Sequence, residues 1–267
     1  GENVYKFEKK FSNRFKCGNS VMVNSGSSAN LVMIAGIKKH LKWNDGDEII
    51  VSPVGFPTTI APIVQNNMTP IFVDIEFDTL NFDVKLIEKK ITSKTRGIFL
   101  SPVLGNPCNM DFLDYLCKKY NLELILDGCD SLGTLWNGKY LTEMAKVSSC
   151  SFYPAHHITC GEGGMISSTD EDLISMVRSF SWWGRDCYCV GSANLLACGT
   201  CGNRFDKWLE PMYDGIVDHK YIFTNMGYNL KPLDLQGALG LEQLKKFDFI
   251  EEKRRESRER VSKIFED

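Results

Sequence analysis

Val21-Met22-Val23-Asn24-Ser25-Gly26-Ser27-Ser28-Ala29-Asn30 runs from an apolar stretch through a turn of small residues into an apolar-periodic segment that ends near Leu41. That order reads as strand, tight turn, helix, and the unit recurs down the chain. Strands are expected at 48–51, 70–73, 97–100, 122–126, 147–152 and 165–168, with helices at 59–65, 83–90, 111–120 and 173–180. Such alternation predicts an α/β fold, a mainly parallel sheet with helices on both faces. Residues 184–219 are rich in Gly, Cys, Asp and aromatics without a clean period and read as a long ordered loop. Helices return at 234–247 and from 250 onward.

Composition narrows the function classes. The chain has 267 residues, 43% hydrophobic and 24% charged, with 31 basic against 34 acidic side chains. A net charge of −3 argues against a basic nucleic-acid surface. No stretch approaches the ~20 apolar residues of a membrane span. Residues 1–10 are charged and mixed, unlike a signal peptide, so a cytoplasmic location is expected. The chain opens without Met and closes on a helix-like charged run, 251–267, which suggests a piece of a longer protein.

Ten cysteines are unusual for such a chain. Cys17, Cys108, Cys117, Cys150 and Cys160 are scattered, as small buried hydrophobes would be. Cys187, Cys189, Cys198 and Cys201 crowd into fifteen residues, which points to a metal or cluster.

Ligands of open α/β sheets bind at the carboxyl ends of the strands, and chemically loaded segments fall there. Residues 25–28 could present backbone N–H groups to an anion at a helix N-terminus, or simply cap the helix through Ser28; no Walker lysine follows. Asp127 ends a buried strand, as a helix cap or as partner to a protonated pyridine nitrogen. Phe56 is either a ring to stack on a flat cofactor or a core residue. His156 and His157, half of the four histidines, precede Gly161-Glu162-Gly163-Gly164. Adjacent histidines rarely converge on one zinc, and no HExxH spacing exists.

Taken in order, 23–30, 125–133, 151–164 and 227–240 resemble the DegT/DnrJ/EryC1/StrS family over nearly the whole chain. The resemblance implies a fold-type-I, vitamin-B6-dependent transferase-like fold. It implies a large cofactor-binding domain over 1–240, including a cysteine-rich cluster loop at 184–219. Residues 241–267 would begin the connection to a truncated C-terminal small domain. In the family's aminotransferases a lysine follows the Ser of the Ser-Phe motif by five residues and carries pyridoxal phosphate; here that position is His156, and no lysine lies between Lys146 and Lys207.

His in that place marks the family's 3-dehydratases, which hold pyridoxamine 5′-phosphate without a covalent link. One kind acts on GDP-4-keto-6-deoxymannose without a cluster. The other acts on CDP-4-keto-6-deoxyglucose with a [2Fe–2S] centre fed by a separate flavin/iron–sulfur reductase, in dideoxysugar and lipopolysaccharide biosynthesis. Cys129 resembles that enzyme's first ligand, 57 residues separating it from Cys187. Cys187, Cys189 and Cys201 resemble the rest, with Cys198 competing for the fourth place. The resemblance further implies that Gly26, Ser27 and Ser151 hold the phosphate. Phe56 would stack on the ring, Asp127 bind its nitrogen and Asp130 stand near its hydroxyl, with His156 as the base. Asn229 would reach the phosphate in a neighbouring subunit, hence a homodimer. The competing readings are a cluster-free GDP-sugar dehydratase, a pyridoxal-phosphate sugar aminotransferase and a non-catalytic zinc module on Cys187, Cys189, Cys198 and Cys201.

Overall fold

A computed structural model describes residues 1–186 and 202–266. Nine strands and eight α-helices lie among them: α1 (Glu2–Phe15), β1 (Asn19–Val23), α2 (Gly26–His40), β2 (Glu48–Val51), α3 (Pro57–Gln65), β3 (Thr69–Phe72), α4 (Val84–Ile87), β4 (Thr95–Leu100), α5 (Met110–Tyr120), β5 (Glu123–Asp127), β6 (Leu135–Trp136), β7 (Lys139–Tyr140), β8 (Val147–Ser151), β9 (Gly164–Ser168), α6 (Glu171–Ser181), α7 (Asp234–Lys245) and α8 (Phe247–Glu266). Seven strands form one sheet in the order β1-β9-β8-β5-β4-β2-β3. Strand β9 runs antiparallel to both β1 and β8, and the remaining pairings are parallel. The α/β fold with a mainly parallel sheet is the one the sequence predicts.

Successive strand residues point to opposite faces, and the core divides accordingly. Ile49, Val51, Phe99 and Ile125 pack under α2, α3 and α6. Ile50, Ile98, Leu100, Leu124 and Leu126 pack beneath α4 and α5 on the other face. Central strands buried on both faces read as unbroken apolar runs, so their register rests on length and flanking turns rather than on alternation.

A third cluster joins α1 to the site-bearing segment. Phe7, Phe11 and Phe15 recur at helical spacing and are buried with Phe152, Ile158, Met165 and Phe247. The Phe7 and Phe152 rings lie 5.1 Å apart, and Phe15 meets Phe247 edge-on at 5.1 Å. Helix α1 and the small β6–β7 hairpin are additional to the elements expected from sequence. The helix cap lies at Ser25 and not at Ser28: Ser25 Oγ caps α2 by accepting the Ser28 N–H at 3.1 Å. Of the long-loop expectation, residues 187–201 lie outside the described residues; 202–218 form turns, and His219–Tyr221 a short 3-10 turn. No described helix is long and apolar enough to cross a membrane.

Candidate active site

Five parallel strands end on one side of the sheet, and the segments leaving them surround a cavity of about 930 Å³. Asn24 to Ser27 follow β1, Val54 to Phe56 follow β2, and Ser101 to Leu104 follow β4. Asp127, Cys129 and Asp130 come from the end of β5, and Ser151, Tyr153, Ala155 and His156 from the end of β8. Thus Gly26, Ser27, Phe56, Asp127, Cys129, Asp130, Ser151 and His156 share one cavity. Asn229 does not line it in its own chain; it is exposed and bridges to Trp182.

The floor is Asp127, 4% exposed. Its Oδ2 accepts from Asn30 Nδ2 at 2.8 Å and Thr59 Oγ1 at 2.6 Å, and its Oδ1 from the Cys129 N–H at 3.2 Å. Asn30 is itself held by Ser149 Oγ at 2.6 Å. A carboxylate offers about four acceptor positions, so these three donors fix its plane and leave room for one more N–H. Sequence reasoning missed Asn30 and Thr59 in this role. A buried Asn on the apolar face of α2 was the available signal.

The wall at the head of α2 depends on close approach. A Cβ on Gly26 would sit 2.5 Å from Ser151 Cβ and 3.2 Å from Cys129 Sγ, so only glycine lets the first turn of α2 meet β8 here. Ser27 Oγ reaches Thr58 Oγ1 at 3.2 Å. Gly26 and Ser27, at the N-terminal turn of α2, line the cavity, where the helix dipole favours an anion. Phe56 stands 67% exposed at the cavity, which removes the core-residue reading.

Opposite lies His156, whose Nδ1 is 3.2 Å from Asp130 Oδ1. The imidazole holds the Asp130 carboxyl below its ordinary value, against the opposing effect of burial. A carboxylate only accepts, so Nδ1 donates to it, and in the neutral imidazole Nε2 is then the nitrogen able to accept a proton. His157 does not line the cavity: burial first, then the nearby Arg254 and His156, push it down to about 4, and its buried Nδ1 has no hydrogen-bond partner among the described residues. Burial also drives the Cys129 thiol well up, with Asp127 and Cys150 adding to the effect.

A pyridine ring bearing a phosphate fits these donors: an anion turn at α2, an exposed aromatic face at Phe56 and a buried, oriented carboxylate at Asp127. Cys187, Cys189, Cys198 and Cys201 lie outside the described residues. Among the described residues no three or more His, Cys, Asp or Glu converge as a metal site.

The model of the DegT/DnrJ/EryC1/StrS aminotransferase family matches residues 1–267. The chain belongs to that family. The lipopolysaccharide biosynthesis protein RfbH of Salmonella typhimurium is 40% identical over 255 residues, covering 93% of this chain and 57% of that protein. A dTDP-4-dehydro-2,6-dideoxy-D-glucose 3-dehydratase of Saccharopolyspora spinosa is also 40% identical, over 265 residues, 98% of this chain and 56% of the relative. Among solved structures, the Escherichia coli GDP-4-keto-6-deoxy-D-mannose-3-dehydratase with bound hydrated PLP superposes with a TM-score of 0.85 at 32% identity, covering all of this chain and 66% of that one. The chain thus spans a little over half the length of these two curated relatives.

Proposed function

We propose that the protein of which this chain is part is a pyridoxamine 5′-phosphate-dependent dehydratase that removes the C3 hydroxyl of a nucleotide-linked 4-keto-6-deoxyhexose, CDP-4-keto-6-deoxyglucose being the favoured substrate. The observation that carries this reading is His156. It stands in the cavity where the family's aminotransferases have lysine, and no lysine lines that cavity among the described residues. The two similar 3-dehydratases support the reaction class.

When bound, the cofactor would supply an amine for the sugar's C4 ketone and a ring that withdraws electrons. The chain's own residues do the rest. Asp127, held in plane by Asn30 and Thr59, keeps the ring nitrogen protonated. Gly26, Ser27 and Ser151 take the phosphate, and Phe56 covers the ring. His156, aligned by Asp130, would serve through Nε2 as the base toward the cofactor's C4′ in the loss of the C3 hydroxyl. An imidazole cannot hold a stable covalent link to the cofactor as a lysine does, so the cofactor remains exchangeable.

The cysteine spacing supports a [2Fe–2S] centre on Cys129, Cys187, Cys189 and Cys201, a one-electron carrier between a separate reductase and the site. Cys129, on the same cavity wall as Asp127, is the ligand that would bring it near the ring. The reading extends to a homodimer in which Asn229 serves the neighbouring phosphate, to a large domain over 1–240 and to a connection beginning at 241.

The test is turnover of CDP-, GDP- and dTDP-linked 4-keto-6-deoxyhexoses by the full-length protein with pyridoxamine 5′-phosphate, alongside His156→Asn and His157→Asn. The expected result is loss of the C3 hydroxyl by wild type, completed to the 3-deoxy product only when the separate reductase and its electron donor supply the two electrons. His156→Asn keeps cofactor binding and loses the reaction, by ~100-fold or more as for a general base. A fully active His156→Asn beside an inactive His157→Asn would assign the wrong imidazole. Amino-group transfer without loss of the C3 hydroxyl would overturn the dehydratase reading.

A further inference from the structure

We propose that Arg254, on α8, is a positioning residue that sets the orientation of His156. The proposal rests on the reading of His156 as the base.

Between β8 and β9 the chain leaves the sheet for twelve residues (152–163) without regular structure, so the ladder that fixes Ser151 does not fix His156. Local bonds shape this segment: the His156 N–H donates to the Tyr153 carbonyl at 3.0 Å, and Thr159 Oγ1 to the Phe152 carbonyl at 2.9 Å. The last two helices grip it from outside. From α7, Gln236 Nε2 donates to the Glu162 carbonyl at 2.7 Å, and Gln243 Oε1 accepts the Thr159 N–H at 3.3 Å. From α8, Arg254 Nη2 donates to the carbonyls of Ala155 at 3.1 Å and His156 at 2.9 Å.

Two successive carbonyls on one planar guanidinium fix the 155–156 and 156–157 peptides, which flank the His156 Cα, and through them the direction of its side chain. That direction decides whether Nδ1 meets Asp130 at 3.2 Å and where Nε2 points. The neighbouring cations of α8 are engaged along the helix, Lys253 with Glu256 and Arg255 with Glu251. Arg254 instead turns to the loop. Burial first, and then the Arg254 charge, push the neighbouring His157 down to about 4.

The test compares wild type, Arg254→Ala and Arg254→Lys in the full-length protein. Amide hydrogen exchange over residues 153–160 is measured without cofactor, with kcat and KM for dehydration measured separately. In Arg254→Ala the loop should exchange about fivefold faster, the factor a lost net hydrogen bond gives, while the sheet keeps its protection. Its kcat should fall about tenfold with KM within about twofold, as for a misplaced catalytic group. Arg254→Lys, still a donor, should recover most of both. Unchanged loop exchange, or faster exchange with unchanged kcat, would overturn the proposal. So would loss of protection throughout the sheet, the mark of a merely structural contact. If wild type shows no dehydration, the function proposed above falls, and the exchange measurement alone decides whether Arg254 orders the loop.

Discussion

Asp127 and its partners show how a residue type becomes a chemical group. A bare carboxylate at a strand end could cap a helix or meet a ligand. Here Asn30 and Thr59 fill the lone pairs on one oxygen, and the other accepts the Cys129 N–H with acceptor capacity to spare. Asn30 is 1% exposed and bonded on both sides, to Asp127 and to Ser149. Asn30→Ala would strand both partners, at a cost of about 1–3 kcal/mol. We expect a lower urea midpoint and weaker pyridoxamine 5′-phosphate binding together; unchanged values of both would remove Asn30 from the site. The sequence announced Asp127 because strand ends are where ligands bind. It did not announce Thr59, since a threonine in the first turn of a helix has many ordinary explanations. Nor did it pair Asp130 with His156, because 26 positions separate them and only the fold closes the gap.

At the scale of elements, strands and long helices were legible wherever their apolar pattern was strong. Helix α1 was passed over although Phe7, Phe11 and Phe15 mark one helical face, because its intervening residues are nearly all charged or polar. The ends of α2, α6 and β8 are joined by a charge cluster. Asp170 caps α6, and its Oδ2 meets Lys146 Nζ at 2.7 Å and His40 Nε2 at 3.0 Å. Burial acts to raise the Asp170 carboxyl, but hydrogen bonds from Lys146, the Leu173 N–H and His40 overcome it and hold it far below its ordinary value of 3.8. A carboxyl lowered on folding contributes stability that is complete above the ordinary value and is lost as pH falls through the folded one. Thermal melts should therefore show an acid decline below roughly pH 4. Asp170→Asn keeps a capping side chain but loses the charge, so it should melt lower at neutral pH and converge with wild type in acid. Parallel curves at all pH values would contradict the role given to this cluster.

At the scale of the whole molecule, the sheet order gathers residues from 24 to 162 around one cavity. Three of the four family motifs, 23–30, 125–133 and 151–164, were readable in sequence because they sit at the ends of β1, β5 and β8, where backbone geometry restricts the residue types; the fourth, 227–240, leads into α7. The cluster loop was readable only as a spacing of cysteines. Its test is anaerobic purification: two irons per chain, a reddish-brown colour and a one-electron paramagnetic signal on reduction, with Cys129→Ser losing all three. One zinc in a colourless protein, indifferent to Cys129→Ser, would instead support the zinc reading.

The central claim is that His156 replaces the covalent lysine, and borohydride reduction of the full-length protein after loading with pyridoxal phosphate tests it most directly. The account predicts no cofactor adduct on residue 156 or on any lysine of the site, with all of the cofactor released on denaturation as its free reduced alcohol; a stoichiometric reduced adduct on an active-site lysine would contradict it.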